Sequence, residues 1–142
     1  MKHGRSLLFA AVAIWILAWF LPIDTRGSAT LPSGIPGWEA FRAPLDIWDS
    51  SGDPLWFKAL AVASALTNFV FVGAVVSARL ATRLRLLWIG LLACGLLNTF
   101  WFVLNDEWRS SLRIGYYMWV ASYFALAAAL REPQMEATPM RD

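Results

Sequence analysis

The fold is decided by the stretch GYYMWVASYFALAAAL at residues 115–130. It carries no charged residue and is bounded by Arg113 and Arg131. With Leu112 and Ile114 its helical length is about 30 Å at roughly 1.5 Å per residue, which matches the hydrocarbon core of a bilayer. Aromatic side chains fill its first third and small residues follow. This order favours a membrane-spanning helix that packs closely against other helices.

The composition indicates that most of the chain is surrounded by lipid. Of the 142 residues, 58% are hydrophobic and 15% are charged, whereas about a quarter of a soluble domain is charged. The net charge is only +2 and the basic residues are scattered, so nucleic acid is not expected as a partner. The single cysteine, Cys94, and the single histidine, His3, give no basis for a disulfide or a Cys/His metal site. No cofactor is expected.

Three further hydrophobic runs complete a set of four predicted spans. The spans are residues 7–23, 55–78, 86–104 and 112–130. Together they predict an all-α fold, an antiparallel four-helix transmembrane bundle that forms one domain over residues 1–142. A signal peptide is the alternative for the first run, because residues 27–29 make a passable cleavage site. The length of that run and its tryptophans favour a permanent span.

The basic residues near the span ends indicate an orientation. The bias is clearest in the connection at residues 79–85, where Arg79, Arg83 and Arg85 have no acidic residue among them. Basic connections stay on the cytoplasmic side. We therefore expect both termini and the tail at residues 131–142 in the cytoplasm, and the long loop at residues 24–54 outside.

The long outer loop is expected to carry a short amphipathic helix on the membrane surface. Large apolar residues recur at spacings of three and four between residues 37 and 48, although Pro44 should kink or end the helix. This element either caps the bundle or binds something. An excess of tryptophan at the outer end places any binding site there. The residues expected to contact a partner are Trp38, Phe41, Arg42, Trp48, Trp56 and Trp108.

The spans also contain polar residues that are expected to cluster inside the membrane. Counting about 1.5 Å per residue from the outer ends puts Asn68 and Ser122 at similar depth, with Asn98 within about one turn of them. Ser122 and Asn98 are therefore the predicted partners of Asn68. The cluster either stabilises helix association, at about 0.6 to 2 kcal/mol per hydrogen bond, or lines a ligand or permeation path. The predicted members are Asn68, Asn98, Ser122, Ser64, Thr67 and Thr99.

Several function classes find no support in the residues. No charged residue lies deep in a span. Lys58 is close enough to the outer interface for its ammonium to reach the headgroups. Ion pumps and proton relays usually need an ionisable group within the membrane, so these classes are disfavoured. There is no nucleophile motif, no phosphate-binding glycine loop and no histidine base within the membrane, so an enzyme is not expected. The outer acidic group, Asp46, Asp49 and Asp53, lacks the pattern of a calcium loop and is interpreted as solvated turn and cap residues.

Four motifs together resemble a group of small, uncharacterised bacterial four-span integral membrane proteins. The motifs are WFLP at residues 19–22, GWEAF at 37–41, TN at 67–68 and GYYMWVAS at 115–122. The resemblance implies the four-span fold and a location in the bacterial inner membrane, and it implies no activity. The long outer loop is also similar to that of claudin-like tetraspans, but the paired loop cysteines of those proteins are absent.

These observations favour a non-enzymatic membrane module that binds another protein, either as a subunit of a complex or as an immunity-type protein that neutralises a toxin. A small transporter or channel is the alternative, and it would have to be an oligomer because four short helices enclose little volume. An enzyme that acts on lipid has the least support. The expected partners are the lipid bilayer and a membrane protein or a second copy of the chain.

Overall fold

The computed structural model describes residues 2–25, 34–46, 52–79, 86–104 and 106–136. Over these ranges the chain is mostly helical, which confirms the predicted all-α class. The helices are α1 (Lys2–Phe20), α2 (Gly37–Asp46), α3 (Leu55–Arg79), α4 (Leu87–Val103), α5 (Asp106–Ser111) and α6 (Ile114–Glu136). Two short antiparallel strands, β1 (Pro22–Asp24) and β2 (Ile35–Pro36), add a small sheet that was not predicted.

One described helix is long and apolar enough to cross a membrane by length and composition, namely Leu55–Ala78 within α3. The helical stretches Gly4–Phe20 and Leu87–Val103 are apolar but shorter. Helix α6, which contains the stretch 115–130 that was predicted to span the membrane, does not meet either description. Its tyrosines and tryptophan are amphipathic residues that lower its mean hydropathy.

Helix α6 is the centre of the bundle. It packs along α1 on one side and α4 on the other, and α3 packs against α4. The main hydrophobic core contains Phe71 of α3, Leu91 of α4, and Tyr123 and Leu126 of α6. Buried alanines, Ala11 and Ala18 on α1 and Ala127 and Ala129 on α6, accompany this packing. Small side chains of this kind allow two helix backbones to approach closely.

Several uncharged polar side chains are buried, and many large hydrophobic side chains are exposed. The buried side chains include the polar residues Ser64, Thr67, Asn68, Asn98, Ser111 and Ser122. Large hydrophobic side chains point outward instead, among them Phe9, Leu17, Phe69, Val72, Leu96 and Val103. In water, large apolar side chains are normally buried and uncharged polar ones are mostly exposed.

Backbone hydrogen bonds join the chain segments at the end of the bundle that carries α2, which is called the outer end here. The Gly37 amide donates to the Leu21 carbonyl over 3.2 Å, and the Arg113 amide donates to the Ile23 carbonyl over 2.8 Å. The Thr25 amide donates to the Ser111 carbonyl over 3.2 Å. The segment that follows α1 is therefore bonded both to the start of α2 and to the start of α6.

Two glycines permit this arrangement because the backbone passes directly against them. A Cβ atom at Gly115 would lie 2.7 Å from the Pro22 carbonyl oxygen and 2.8 Å from that of Leu21. A Cβ atom at Gly37 would lie 2.8 Å from the Cα atom of Trp19. Neither neighbour is a flexible side chain, so the added atom can be accommodated only by a backbone shift. These glycines open the GWEAF and GYYMWVAS motifs, which gives both motifs a structural reason.

We expect Gly115→Ala and Gly37→Ala to lower the free energy of unfolding by about 1 to 3 kcal/mol each, the usual cost of forcing extra volume into a packed site. Gly90→Ala is the matched control, because a Cβ atom at Gly90 meets nothing within 4 Å. The control should be neutral or stabilising by up to about 1 kcal/mol, since alanine is the better helix former. Unfolding of the detergent-solubilised protein measures all three. Equal stability of Gly115→Ala and Gly90→Ala would contradict the close approach of α6 to the end of α1.

Candidate functional site

Asn68, on α3, is the centre of a buried hydrogen-bond network. Its Oδ1 atom accepts hydrogen bonds from Trp15 Nε1 over 3.1 Å, from Trp119 Nε1 over 3.0 Å and from the Tyr123 hydroxyl over 3.4 Å. Its Nδ2 atom donates to the Ala65 carbonyl over 3.1 Å. Trp15 lies on α1, and Trp119 and Tyr123 lie on α6. One amide oxygen therefore joins three helices.

A second part of the network surrounds Asn98 of α4. Its Nδ2 atom donates to Thr67 Oγ1 over 3.0 Å, and its Oδ1 atom accepts from the Ser64 hydroxyl. Trp101 Nε1 in turn donates to Ser64 Oγ over 3.2 Å. The Tyr116 hydroxyl donates to the backbone carbonyl of Asn98 over 2.7 Å. These contacts bond α4 to both α3 and α6.

The Thr67 and Tyr123 hydroxyls, 2.8 Å apart, connect the two parts. Within the described ranges, no buried side-chain nitrogen or oxygen lacks a hydrogen-bond partner. The polar network is thus internally satisfied. Its described members are Trp15, Ser64, Thr67, Asn68, Asn98, Trp101, Tyr116, Trp119 and Tyr123.

The structure brings together four of the six polar residues expected to cluster, Ser64, Thr67, Asn68 and Asn98. The other two bond within their own helices: Ser122 donates to the Trp119 carbonyl over 2.6 Å, and Thr99 donates to the Gly95 carbonyl over 2.9 Å. Ser122 therefore does not bond to Asn68, and Asn98 reaches Asn68 only through the Thr67 and Tyr123 hydroxyls. Aromatic N–H and O–H groups take the place predicted for Ser122.

The aromatic members were missed because the sequence interpretation assigned tryptophans to the membrane interface. The excess of tryptophan was interpreted as a feature of the outer end, yet the indole N–H of Trp119 reaches the mid-helix Asn68. Their positions in the sequence could have indicated this role, because Trp15 and Trp119 both lie several residues inside their predicted spans. An indole N–H needs an acceptor when it is buried, and a mid-span asparagine provides one.

Aromatic rings lie directly beside the Asn68 part of the network. The rings of Trp15 and Phe71 are stacked, with centroids 5.0 Å apart and planes inclined by 11°. The rings of Phe71 and Tyr123 meet edge to face at 5.3 Å. This aromatic layer fills the space between α1, α3 and α6 at the depth of Asn68.

On the outer side of this layer the described residues leave a space between the helices. It forms a partly open cavity of about 620 Å³, called the outer cavity below. Along α3 its wall runs from Phe57 to Asn68, which corresponds to about 16 Å at 1.5 Å per residue, so the cavity is elongated along the helix axis. Aromatic residues of the other elements complete much of the wall: Trp19, Trp38, Phe41, Trp101, Tyr116 and Trp119.

Helix α2 covers the outer cavity. Its Phe41 ring packs against Trp19 of α1 at 5.2 Å and against Phe69 of α3 at 6.2 Å. Pro44 was expected to kink or end this helix, but the helix continues past it to Asp46. The Pro44 side chain is buried and lines the cavity. Glu39 and Arg42 line the cavity from the same helix, and neither forms an ion pair with another described residue.

The residues expected to contact a partner are only partly gathered at this site. Trp38, Phe41 and Arg42 line the outer cavity, and Trp38 is 46% exposed. Trp56 is 54% exposed on the outer end of α3 but does not line the cavity. Trp48 lies outside the described residues, as does the side chain of Trp108.

Of the outer acidic group, Asp49 and the side chain of Asp46 also fall outside the described part of the chain. Asp53 is exposed. Among the described residues no three His, Cys, Asp or Glu side chains are grouped so that they can hold a metal ion. The outer cavity and the polar network are therefore the candidate site.

We expect Asn68→Leu to destabilise the protein by about 2 to 3 kcal/mol, because the change leaves the indole N–H groups of Trp15 and Trp119 without their acceptor. Ser122→Ala is the matched control. Ser122 is fully buried but bonds only within its own helix, so this change should cost less than about 1 kcal/mol. Thermal unfolding in mild detergent compares the two variants. If Asn68→Leu is no more destabilising than Ser122→Ala, Asn68 is not the centre of the network.

The chain was compared with protein-family models, curated proteins and solved structures, and nothing matches it. The resemblance to small bacterial four-span membrane proteins therefore stays a prediction from the four motifs. The outer cavity and the polar network are the features of the molecule from which a function can be proposed.

Proposed function

We propose that the chain is a non-enzymatic integral membrane protein of the bacterial inner membrane that binds an apolar small molecule in the outer cavity. Helices α1, α3, α4 and α6 are its four spans, and both termini lie in the cytoplasm. The sequence favoured a module that binds another protein, and the outer cavity leads us to propose a small-molecule ligand instead.

The exposure of large apolar side chains and the burial of uncharged polar ones support the membrane location. Large apolar side chains such as Phe9, Phe69 and Leu96 are 65% or 66% exposed on three different helices, whereas Asn98 and Ser122 are fully buried. Exposed apolar patches of this extent are rare on soluble monomers. In a bilayer the same side chains contact lipid at no cost, and the buried polar groups hold the helices together.

The proposed orientation places basic residues near the cytoplasmic surface. The Arg131 guanidinium lies 5.5 Å from the centre of the Trp88 ring, and this pair would lie near the cytoplasmic ends of α6 and α4. A tryptophan at a membrane interface and an arginine on the cytoplasmic side agree with the usual distribution. Labelling of a Ser51→Cys variant from the cytoplasmic side, after Cys94→Ala, would contradict this orientation.

The outer cavity is the observation that carries the binding function. A volume of about 620 Å³ lies within the range of about 300 to 1,000 Å³ that is typical of small-molecule sites, and aromatic walls are typical as well. The polar groups of Ser64, Trp101 and Tyr116 that adjoin it already bond to other protein groups. A ligand therefore meets apolar surfaces over most of the cavity.

The same geometry disfavours a pore through one copy of the chain. Inward of Asn68 the space is filled by Trp15, Phe71 and Tyr123, which pack ring against ring. A permeating polar molecule would have to separate these rings and break the hydrogen bonds on Asn68. The outer cavity ends at this layer, as a binding site does.

A protein partner is the second candidate, in the role of a complex subunit or an immunity-type protein. The observation in its favour is the exposure of Trp38 and Trp56, together with Arg42 one helical turn after Trp38 on α2, because tryptophan and arginine are enriched at interaction surfaces. Co-purification in mild detergent tests it. A stable heteromeric partner that is lost in Trp38→Ala and Trp56→Ala supports this role.

Obstructing the outer cavity should weaken ligand binding. Ala65 lines the cavity, so Ala65→Phe places a ring in it, whereas the matched control Ala59→Phe adds the same ring to an exposed position of α3. The probe is 11-bromoundecanol, whose bromine quenches tryptophan fluorescence on contact. Trp19, Trp101 and Trp119 line the cavity and report its occupancy.

We expect saturable quenching in the wild type and in Ala59→Phe, and weaker binding of the probe in Ala65→Phe, with the protein held in nanodiscs. Non-saturable quenching from probe dissolved in the bilayer is common to all three proteins and is subtracted. Saturable quenching that persists unchanged in Ala65→Phe would contradict the proposed site.

A further inference from the structure

We propose that the outer cavity holds one acyl chain of a membrane lipid and that Glu39 and Arg42 bind its zwitterionic headgroup, in which an ammonium group lies near a phosphate. This inference rests on the proposed function and names the class of ligand. It depends on the shape of the cavity, on the state of the polar groups in its wall, and on the charges at its outer end.

The shape of the cavity suits a chain better than a compact molecule. The wall follows α3 from Phe57, near the outer end, to Asn68, near the middle of the helix, over about 16 Å. The aromatic layer of Trp15, Phe71 and Tyr123 closes the inner end. A site that begins at the membrane surface and ends near mid-membrane has the direction and depth of an acyl chain in one leaflet.

The polar side chains along the inner part of the wall already have hydrogen-bond partners. The amide oxygen of Asn68 already accepts three hydrogen bonds, and the Ser64 hydroxyl both donates and accepts one. The Tyr116 hydroxyl donates its proton to the Asn98 carbonyl. A polar ligand buried here would lose its hydrogen bonds to water and gain few in return. An acyl chain loses nothing and gains apolar contact.

Charged groups lie where the headgroup would be. Glu39 and Arg42 are three residues apart on α2, so they share one face of that helix, and both line the cavity. Neither is paired with another described residue. Asp24 lines the cavity too, but it already has an interaction of its own, so Glu39 is the carboxylate assigned to the headgroup. The site therefore presents a positive and a negative group together.

This pair of charges selects the headgroup. A guanidinium binds a phosphate through two parallel hydrogen bonds, and a carboxylate binds an ammonium group. A headgroup that carries both charges satisfies both residues, whereas a purely anionic headgroup faces Glu39 and a purely cationic one faces Arg42 without a counter-charge. Charge complementarity thus points to a zwitterionic phospholipid.

The ligand comes from the surrounding bilayer. The surface next to the cavity is apolar, since Phe69, which packs on the covering Phe41, is 66% exposed and Trp38 is 46% exposed. Helix α2 is amphipathic and lies at the outer end, at the level of the headgroups in the proposed orientation. A lipid of the outer leaflet reaches the site without leaving the membrane.

The test uses four probes that share an 11-bromoundecyl chain and differ in the headgroup. The headgroups are phosphoethanolamine, phosphate, ammonium and hydroxyl. Saturable quenching of tryptophan fluorescence is measured for the wild type, Arg42→Gln and Glu39→Gln. Arg113→Gln and Glu107→Gln are the matched controls, because both residues are exposed, carry the same charges and do not line the cavity.

We expect the phosphoethanolamine probe to bind about tenfold more tightly than the hydroxyl probe, and Arg42→Gln and Glu39→Gln each to remove most of that difference, as the loss of a charge-assisted hydrogen bond does. The hydroxyl probe should bind equally to the wild type and to all four variants. Both control variants should keep the preference for phosphoethanolamine.

The outcomes separate the two proposals. Equal binding of all four probes, with no effect of Arg42→Gln or Glu39→Gln, overturns the headgroup assignment but leaves the binding function intact. A preference for the phosphate probe that increases in Glu39→Gln overturns it in favour of an anionic headgroup. Loss of saturable quenching with every probe in the wild type overturns the binding function itself.

Discussion

The arrangement of the helices depends on one amide oxygen. Asn68 Oδ1 accepts hydrogen bonds from Trp15, Trp119 and Tyr123, which extend toward α3 from two different helices. A buried amide without partners is costly wherever water is absent, so α3 must stay where these three donors reach it. The donors are long aromatic side chains. They fill the space between α3 and the pair formed by α1 and α6, and they keep the backbone of α3 at a distance from both.

The outer cavity follows from this distance. Within the described residues, α3 packs closely against α4 and α2, whereas α1 and α6 pack closely against each other. At the depth of Asn68 the separation is filled by Trp15, Phe71 and Tyr123. Toward the outer end the described residues leave this space open as the outer cavity, and α2 covers the opening. The bonds of Gly37 and Arg113 to the segment after α1 hold the cover and the start of α6 in place.

The sequence predicted the elements of this fold better than their contacts. Uncharged runs located the helices, and the apolar spacing of residues 37–48 located α2, which is helical over Gly37–Asp46. Ser64, Thr67, Asn68 and Asn98 were identified because a polar residue within an apolar run needs a partner. The choice of partner was not accessible, because an indole ring in a span is equally consistent with lipid, with the interface and with a hydrogen bond to a distant helix. The strand pair β1–β2 and helix α5 were missed since such short elements depend on neighbours that are remote in sequence.

The most direct test of the central role of Asn68 is a double-mutant cycle between Asn68→Leu and Trp119→Phe, measured by unfolding in mild detergent. Phenylalanine removes the indole N–H but keeps an aromatic ring, so the cycle isolates the hydrogen bond as far as one pair allows. A coupling free energy of about 0.6 to 2 kcal/mol is expected, because the second change removes a partner that the first has already lost. The control cycle pairs Asn68→Leu with Trp88→Phe. The Trp88 ring lies against Arg131, away from Asn68, so the two changes in free energy should be additive. Additivity in both cycles would contradict the account.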